Sequence, residues 1–304
     1  MAAPRQIMLE APTVRLAGWD YGNPTARPVV FLHGLTDLAW ALHPVAEELA
    51  TRYRVLSFDL RGHGDSGQPG RYTVAHFVAD LRFVIDELAL ERPILFGHSM
   101  GSIVTSVFAG TWPEVPEALV MVEGLGPPGR PGEGDPAGRR LLARALIGSL
   151  IADPTRPPMA DDAVARDRLR RAHPGLGESR VAELVRVGTR PGPDGGLVWK
   201  WDPFVREWAA VFDRERFEEC WAAVRCPTLI VTGGQAWERW WKPTSAVRPG
   251  PAFAGPMSAA EQQRRLARFG DVEHHTIDAG HMVHFDAPEQ LARLTKDFLA
   301  RRVP

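Results

Sequence analysis

The sequence predicts an α/β fold with a mostly parallel central sheet, and two observations support this prediction. Short apolar runs that read as buried strands lie at residues 29–32, 55–58, 94–96 and 119–122. Between the second and third of these runs, apolar residues from Val74 to Leu88 recur at helical spacing. Nearly continuous apolar strands that alternate with amphipathic helices are typical of a parallel sheet covered on both faces.

Elements at the two ends of the chain extend this sheet. Residues 7–21 contain strand-like pieces, which we expect to form an antiparallel edge. Alternation of strands and helices resumes after the middle of the chain. It predicts a strand at 227–232, a helix at 261–269, a strand at 272–277 and a helix at 288–301.

The middle of the chain has a different character. Residues 125–138 are rich in Gly and Pro and are predicted to form a loop, followed by helical segments at 139–151, 163–171 and 179–187. The simplest interpretation is one α/β core formed by residues 1–124 and 222–304, with a helical insertion at 125–221. A Pro- and Trp-rich stretch at 237–256 is predicted to be a long loop.

The composition excludes several classes of protein. The 304 residues carry a formal net charge of −1, so no overall field attracts nucleic acid or an anionic membrane. The two cysteines, Cys220 and Cys226, fit a reduced compartment and rule out a disulfide scaffold. We see no secretory signal and no apolar run of about 18 residues, so we expect a cytoplasmic protein without a membrane span. The sequence predicts no oligomeric state.

The strongest functional signal is the sequence GHSMG at residues 97–101. It follows a predicted strand and precedes the helical run 103–108, which is the context of a nucleophile elbow. The small residues around Ser99 permit a strained turn that holds its Oγ clear of the sheet. The start of the next helix directs backbone N–H groups toward developing negative charge. Ser99 is therefore the predicted nucleophile, and an ordinary Gly-rich turn is the alternative.

Three further segments agree with this interpretation. His33 and Gly34 close an earlier strand, where the backbone N–H of Leu35 can complete an oxyanion hole with that of Met100. His33 and Gly34 are also candidates for the substrate pocket.

His281 follows the last predicted strand and is the best candidate for the general base. His284, three residues later, is expected to pack or to form local hydrogen bonds. The polar sequence DLRGHGDS at 59–66 is expected to be a structural turn.

In chain order, HG at 33–34, DLRGHGDS at 59–66, GHSMG at 97–101 and GH at 280–281 resemble the motifs of the α/β-hydrolase fold superfamily. The resemblance covers about residues 7–124 and 222–303. It implies an α/β-hydrolase fold with a serine nucleophile. It also implies that the insertion is the cap domain, the variable part that selects the substrate.

The sequence departs from this family where the catalytic acid is expected. The acid usually follows strand seven, but the segment 232–237 reads TGGQAW, with Ala236 at the expected position. Glu123 at the end of strand six is the leading candidate, because certain haloalkane dehalogenases and lactonases of the family place the acid there. Glu238 is the second candidate, and Asp278 is poorly placed to orient His281. A structural role of Glu123 in the turn that follows it is also open.

The resemblance implies acyl transfer to water by Ser99, with His281 as the base and an acid that orients it. The first hypothesis is a carboxylic ester or lactone hydrolase acting on a small to medium hydrophobic substrate. A serine nucleophile argues against epoxide hydrolases and dehalogenases, whose intermediate needs a carboxylate. HExxH, P-loop and GxGxxG motifs are absent, so no metal or cofactor is predicted.

Two alternative functions remain open. One is a serine-dependent hydrolase of C–C bonds in ring-cleavage products, and the other is a catalytically weak ligand-binding protein. The tryptophans of the insertion also have two interpretations. These tryptophans are Trp199, Trp201 and Trp208. They either pack the cap onto the core or line an apolar substrate pocket.

Overall fold

The structure is a computed structural model of the chain. It describes residues 3–129, 135–151, 158–193, 195–205, 208, 214–245 and 253–303. Parts of the loops predicted at 125–138 and 237–256, and part of the Trp-rich stretch that ends the insertion, lie outside the described residues.

Most of the strands belong to one sheet. The strands are β1 (Arg5–Ala11), β2 (Val14–Asp20), β3 (Pro28–Leu32), β4 (Arg54–Phe58), β5 (Ile94–His98), β6 (Ala118–Val122), β7 (Thr189–Pro191), β8 (Leu197–Trp199), β9 (Thr228–Gly233) and β10 (Val272–Ile277). The central sheet has the order β1-β2-β4-β3-β5-β6-β9-β10. The pairs from β4 to β10 are parallel, whereas β1 and β2 form an antiparallel edge. The predicted mostly parallel sheet and its antiparallel edge are therefore confirmed.

The sheet is covered by some of the helices of the chain, and others lie in the segment between β6 and β9. The helices are α1 (His43–Ala50), α2 (Val74–Glu87), α3 (Met100–Thr111), α4 (Pro136–Ile151), α5 (Asp162–Ala172), α6 (Glu178–Gly188), α7 (Arg214–Ala223), α8 (Lys242–Ser245), α9 (Ala259–Leu266), α10 (Val283–Asp286) and α11 (Pro288–Arg302). Residues of α2, α3 and α7 form the apolar core on one face, and residues of α1 and α11 form the core on the other. Every side chain of β6 is buried, as expected for a strand covered on both sides.

The segment predicted to be a loop at 237–256 is instead partly helical. A π-helical turn spans Trp237–Trp241, and α8 follows it directly. The spacing of Trp237, Trp240 and Trp241 explains the difference, because residues at i, i+3 and i+4 share one face of a helix. The composition of the stretch pointed to a loop, whereas this spacing pointed to a helical turn. Residues 246–252 lie outside the described ranges.

The segment between β6 and β9 contains α4 to α7 and the small antiparallel pair β7–β8. Polar contacts connect it to turns of the sheet domain. The indole N–H of Trp40 donates to Glu183 at 2.7 Å, and the ammonium group of Lys200 donates to Asp65 at 2.7 Å. Its last helix, α7, packs against α3. Among the helices of the described ranges, none combines the length and apolar character that a bilayer crossing requires.

Candidate active site

Three neighbouring strands end side by side at one edge of the sheet. Ser99 follows β5, Glu123 follows β6, and Gly233 ends β9. Backbone hydrogen bonds continue between the strands at this edge. The N–H of Ser99 donates to Val122 O at 2.8 Å, and the N–H of Glu123 donates to Val231 O at 2.8 Å. Because parallel strands share one carboxyl edge, this is where the fold brings functional side chains together.

Ser99 occupies a strained backbone conformation at the turn from β5 into α3. Its φ of 51° lies in the left-handed region, which is uncommon for a residue other than glycine. Close backbone contacts on either side leave no room for side chains. A Cβ at Gly97 would lie 2.5 Å from the carbonyl carbon of Gly101, and a Cβ at Gly101 would lie 2.2 Å from Leu32 O. The two glycines thus allow the sharp turn that holds the serine Oγ above the strand end.

The side chains of Ser99, His281 and Glu123 form a continuous chain of hydrogen bonds. The Nε2 atom of His281 lies 3.0 Å from Ser99 Oγ, and its Nδ1 atom lies 2.8 Å from Glu123 Oε2. The other carboxyl oxygen, Oε1, accepts the N–H of Gly233 at 2.7 Å. The side chains of His281 and Glu123 are only 2% and 7% exposed, so bulk water does not compete for these contacts.

Glu123 resembles Ser99 in its backbone, since its φ is 53°. Burial raises the pKa of its carboxyl group above the ordinary value, and the N–H of Gly233 opposes that rise. Donors from Gly233 and from His281 therefore compensate a carboxylate that the apolar surroundings disfavour. In the structural alternative, Glu123 would form hydrogen bonds only within the turn that follows it. Instead, both of its carboxyl oxygens bond to other segments of the chain.

A glycine in β9 explains how His281 reaches the end of β6. A Cβ at Gly233 would lie 2.2 Å from Gly280 O, so the absence of a side chain lets the loop before His281 pack on the strand end. The N–H of Gly280 also donates to Asp286 Oδ2 at 2.7 Å, which fixes the loop from its other side. The imidazole is therefore held over β6 by the backbone of its own loop.

The other acids considered from the sequence point elsewhere. The side chain of Glu238 is 63% exposed and forms an ion pair with Lys242 at 2.9 Å. Asp278 accepts a hydrogen bond from the side-chain amide of Gln235. In the described structure, the carboxylate bonded to His281 is that of Glu123.

The two backbone groups predicted to form the oxyanion hole flank the nucleophile. Met100 is the first residue of α3, so its N–H has no acceptor within the helix. Gly34 lies against the elbow, because a Cβ at this position would lie 3.3 Å from Ser99 Cβ. The turn that carries the Leu35 N–H is therefore adjacent to Ser99.

The ring of His33 fixes this turn from inside. Its Nδ1 lies 2.7 Å from Gly34 O, and its Nε2 accepts the N–H of Leu60 at 3.0 Å. The residue has no exposed surface, and its contribution to a substrate pocket stays a prediction. His63 acts similarly, since its Nε2 accepts the N–H of Thr36 at 3.1 Å. The polar turn at 59–66 is thus structural, as predicted.

The tryptophans of the insertion occupy three different surroundings. Trp199 lies in β8 and packs against a small cluster formed by Met159, Ala165 and Val185. Trp201 forms an isolated β-bridge with His63 and packs against the core on the α2–α3 face. Trp208 packs against that same core.

The rings closest to His281 in the described structure come from a segment that the sequence analysis assigned to a loop. Trp240 stacks on the imidazole with ring centroids 5.1 Å apart and planes 13° apart. Trp241 approaches the imidazole nearly edge-on at 5.0 Å. On its other side, Trp240 lies nearly parallel to His173 of the insertion, with centroids 6.4 Å apart. The helical spacing of the tryptophans was the signal that predicts such a cluster.

Comparisons with known proteins agree with this geometry. A model described as the alpha/beta hydrolase family matches residues 29–294. The chain belongs to the alpha/beta hydrolase family. The match extends from β3 past β10 and includes the segment between β6 and β9, and it supports a hydrolytic activity.

Individual relatives of this alpha/beta hydrolase are distant. It is 27% identical to sn-1-specific diacylglycerol lipase ABHD11 of Mus musculus over 92% of this chain and 83% of that protein. It is 32% identical to a serine hydrolase-like protein of Danio rerio, but the match spans only 41% of this chain and 39% of that protein. Among solved structures, the thioesterase domain from the curacin biosynthetic pathway is similar with a TM-score of 0.79, 26% identity, and coverage of 96% of this chain and 99% of that one.

Proposed function

We propose that this chain is a serine hydrolase that cleaves carboxylic esters or lactones of small to medium hydrophobic substrates through an acyl-enzyme. The observation that carries the proposal is the hydrogen-bonded series Ser99 Oγ, His281 Nε2, His281 Nδ1 and Glu123 Oε2, with separations of 3.0 and 2.8 Å. This is the connectivity of a nucleophile, a base and an acid that orients the base.

Each residue has a defined part in the proposed reaction. Ser99 Oγ attacks the carbonyl carbon while His281 Nε2 takes its proton, and the N–H groups of Leu35 and Met100 stabilise the oxyanion. The imidazolium then gives the proton to the leaving alcohol, and the acyl group stays on Ser99. Water activated by the same His281 releases the acid and restores the serine. Glu123 holds the Nδ1–H tautomer and stabilises the imidazolium.

The surroundings of the base support a hydrophobic substrate. Trp240 and Trp241 present aromatic surface to His281, and Phe253 meets Trp241 nearly edge-on at 5.4 Å. We assign the insertion at 125–221 as the cap, and the contact of His173 with Trp240 supports this assignment. The names of the mouse lipase and of the thioesterase domain also indicate cleavage of acyl esters or thioesters.

The test combines turnover with covalent labelling. The wild-type protein is expected to hydrolyse nitrophenyl esters with a burst and to react with a fluorophosphonate at Ser99. Ser99→Ala is expected to lower kcat by about 10⁶-fold, by analogy with serine proteases, while the fold survives. Retention of more than about a tenth of the activity would remove Ser99 from the mechanism. Absence of both burst and labelling would instead favour a binding protein.

A panel of esters, lactones and β-diketones separates the remaining substrate classes. Preference for an ester or lactone supports the proposed reaction. Preference for a diketone of the ring-cleavage type would replace it with C–C bond hydrolysis by the same serine.

A further inference from the structure

A second group of ionisable side chains lies next to the candidate active site. Asp37 follows the turn of Leu35, His98 precedes Ser99, and His284 follows His281 by three residues. Both histidines are 1% exposed, and Asp37 is 9% exposed. One donor atom from each of the three residues lies within 4.8 Å of the other two. The proposed hydrolysis gives this cluster no task.

The ring of His98 has the hydrogen bonding of a metal ligand. Its Nε2 lies 2.9 Å from the carbonyl oxygen of His281, so Nε2 carries the proton and Nδ1 carries a lone pair. Within the described ranges this buried Nδ1 has no hydrogen-bond partner. A histidine that binds a metal typically donates its other ring N–H to a carbonyl or carboxylate in this way.

His284 and Asp37 complete the donor set. The Nε2 of His284 lies 3.2 Å from Asp37 Oδ2, and its buried Nδ1 has no partner among the residues that the structure describes. The described ion pair of Asp37 is the one with His284. The carboxylate and the two imidazoles therefore present their donor atoms to one another in a buried space.

We propose that Asp37, His98 and His284 form a binding site for a divalent transition-metal ion such as Zn²⁺ or Co²⁺. Two imidazole nitrogens and a carboxylate oxygen are a common ligand set for these ions, and a water molecule fills the fourth position. Metal–ligand bonds of about 2.0 Å place neighbouring donors about 3.3 Å apart in a tetrahedron. The separation of 3.2 Å between His284 and Asp37 fits this geometry. The three ligands come from the loop after β3, the end of β5 and the short helix α10, so no sequence motif predicts them.

Metal binding in this position acts on the nucleophile and on the base. The donors lie within 4.8 Å of one another, so the cluster contracts around the ion. His98 is covalently linked to Ser99 and hydrogen-bonded to the backbone of His281, and a shift of its ring moves both residues. The ion is therefore an inhibitor of hydrolysis rather than a cofactor. This consequence rests on the proposed function, whereas binding itself does not.

The test is a titration of the untagged protein with Co²⁺, followed by visible absorption and by elemental analysis after dialysis. The wild type is expected to bind one equivalent, with the intense absorption of a four-coordinate ion, and to release it to Zn²⁺. Asp37→Asn and His284→Gln keep the size of the side chains and are expected to weaken binding by about 100-fold or more, as loss of a ligand costs at least as much as loss of its support. Circular dichroism checks that each variant folds.

A surface pair of the same chemistry provides the matched control. His275 Nε2 lies 2.7 Å from Glu273 Oε1 on β10, and Glu273→Gln is expected to leave Co²⁺ uptake unchanged. Loss of binding in this control, or unchanged binding in both cluster variants, would overturn the proposal. X-ray absorption at the zinc edge of the loaded wild type must show imidazole ligands. A site without them, or no stoichiometric uptake, would also overturn the proposal, and this result needs no variant.

Inhibition is measured separately, so failure of the two proposals can be distinguished. Co²⁺ is expected to suppress ester hydrolysis with the same midpoint as in the Co²⁺ binding titration, and EDTA is expected to restore the activity. Full activity of the cobalt-loaded protein would overturn the inhibitory role. A protein that binds Co²⁺ as described but hydrolyses no ester contradicts only the proposed function.

Discussion

The ends of β6 and β9 lie side by side, but one contributes a charged side chain to the candidate site and the other contributes a backbone donor. The residue after β6 is Glu123, whose carboxylate bonds to His281. The end of β9 is Gly233, which has no side chain and donates its N–H to that same carboxylate. The strand that usually carries the acid thus provides space and a donor, while its neighbour provides the charge. The acid can therefore follow either strand, provided that its carboxylate contacts the imidazole of His281.

Of the changes at these two strand ends, the largest effect is expected from removing the charge at the end of β6. Glu123→Gln keeps the shape of the side chain but permits the wrong imidazole tautomer, so kcat is expected to fall by about 10⁴-fold. Glu238→Gln is the matched control on the side of β9 and is expected to remain within about threefold of wild type, because its carboxylate is exposed. Ester hydrolysis measures both. If Glu238→Gln lost its activity while Glu123→Gln stayed active, the acid would be Glu238 and not Glu123.

The next effect comes from filling the space at the end of β9. Gly233→Ala places a Cβ 2.2 Å from Gly280 O, so the loop of His281 must move. A displacement of about 1 Å is expected to lower kcat by about 100-fold. Gly234→Ala is the neighbouring control, since its Cβ would meet Ile277 O and Thr276 Cγ2 at an ordinary 3.5 Å. Equal activities of the two variants would show that the loop does not depend on Gly233.

A smaller effect is expected from the aromatic ring that follows β9. Trp240 stacks on His281, and its ring face is expected to stabilise the imidazolium that forms when the proposed base takes its proton. Loss of an attraction of about 0.5–2 kcal/mol in Trp240→Leu lowers kcat by about 2- to 30-fold. Trp240→Phe keeps an aromatic face and is expected to retain most of the activity. Identical rates for the leucine and phenylalanine variants would leave the ring with a packing role only.

The smallest effect concerns stability and separates the charge of Glu123 from its shape. Burial raises the pKa of Glu123, so the folded state holds the proton more tightly than the unfolded state, and stability is lost as pH rises through the folded pKa. Glu123→Gln does not ionise and escapes this loss. The difference in free energy of unfolding between Glu123→Gln and wild type is measured at two pH values. It is expected to shift in favour of the variant by about 1 kcal/mol or more between about pH 5 and about pH 8. Urea denaturation of both proteins at both pH values measures this difference. Stabilities of wild type and variant that change in parallel with pH would contradict the prediction.

The fold and the central residues of the site were predictable because their signals are local. An apolar strand, a Gly-flanked serine and a helix follow one another within residues 94–108, and this order alone predicts Ser99 at the sheet edge. Glu123 was also a sequence-based candidate, because the ends of parallel strands lie together. Its positive φ and its second bond to Gly233 were not predictable, since both depend on the neighbouring strands.

The aromatic contacts of His281 were harder to predict for a different reason. Trp240 and Trp241 lie in a short helical turn within a segment whose composition resembles a loop, so composition and spacing gave conflicting signals. The buried cluster of Asp37, His98 and His284 combines single residues from a loop, a strand end and a short helix, and no periodicity links them. Such features depend on how loops pack on each other, which hydrophobic patterning does not encode.

The positive φ angles at Ser99 and Glu123 have a consequence for how this chain changes over time. Each angle costs on the order of 1 kcal/mol or more for a residue with a Cβ, and glycine removes that cost. Random substitution without selection for chemistry therefore favours glycine at both strand ends. The serine and the glutamate at these positions therefore carry a conformational cost that glycine would relieve.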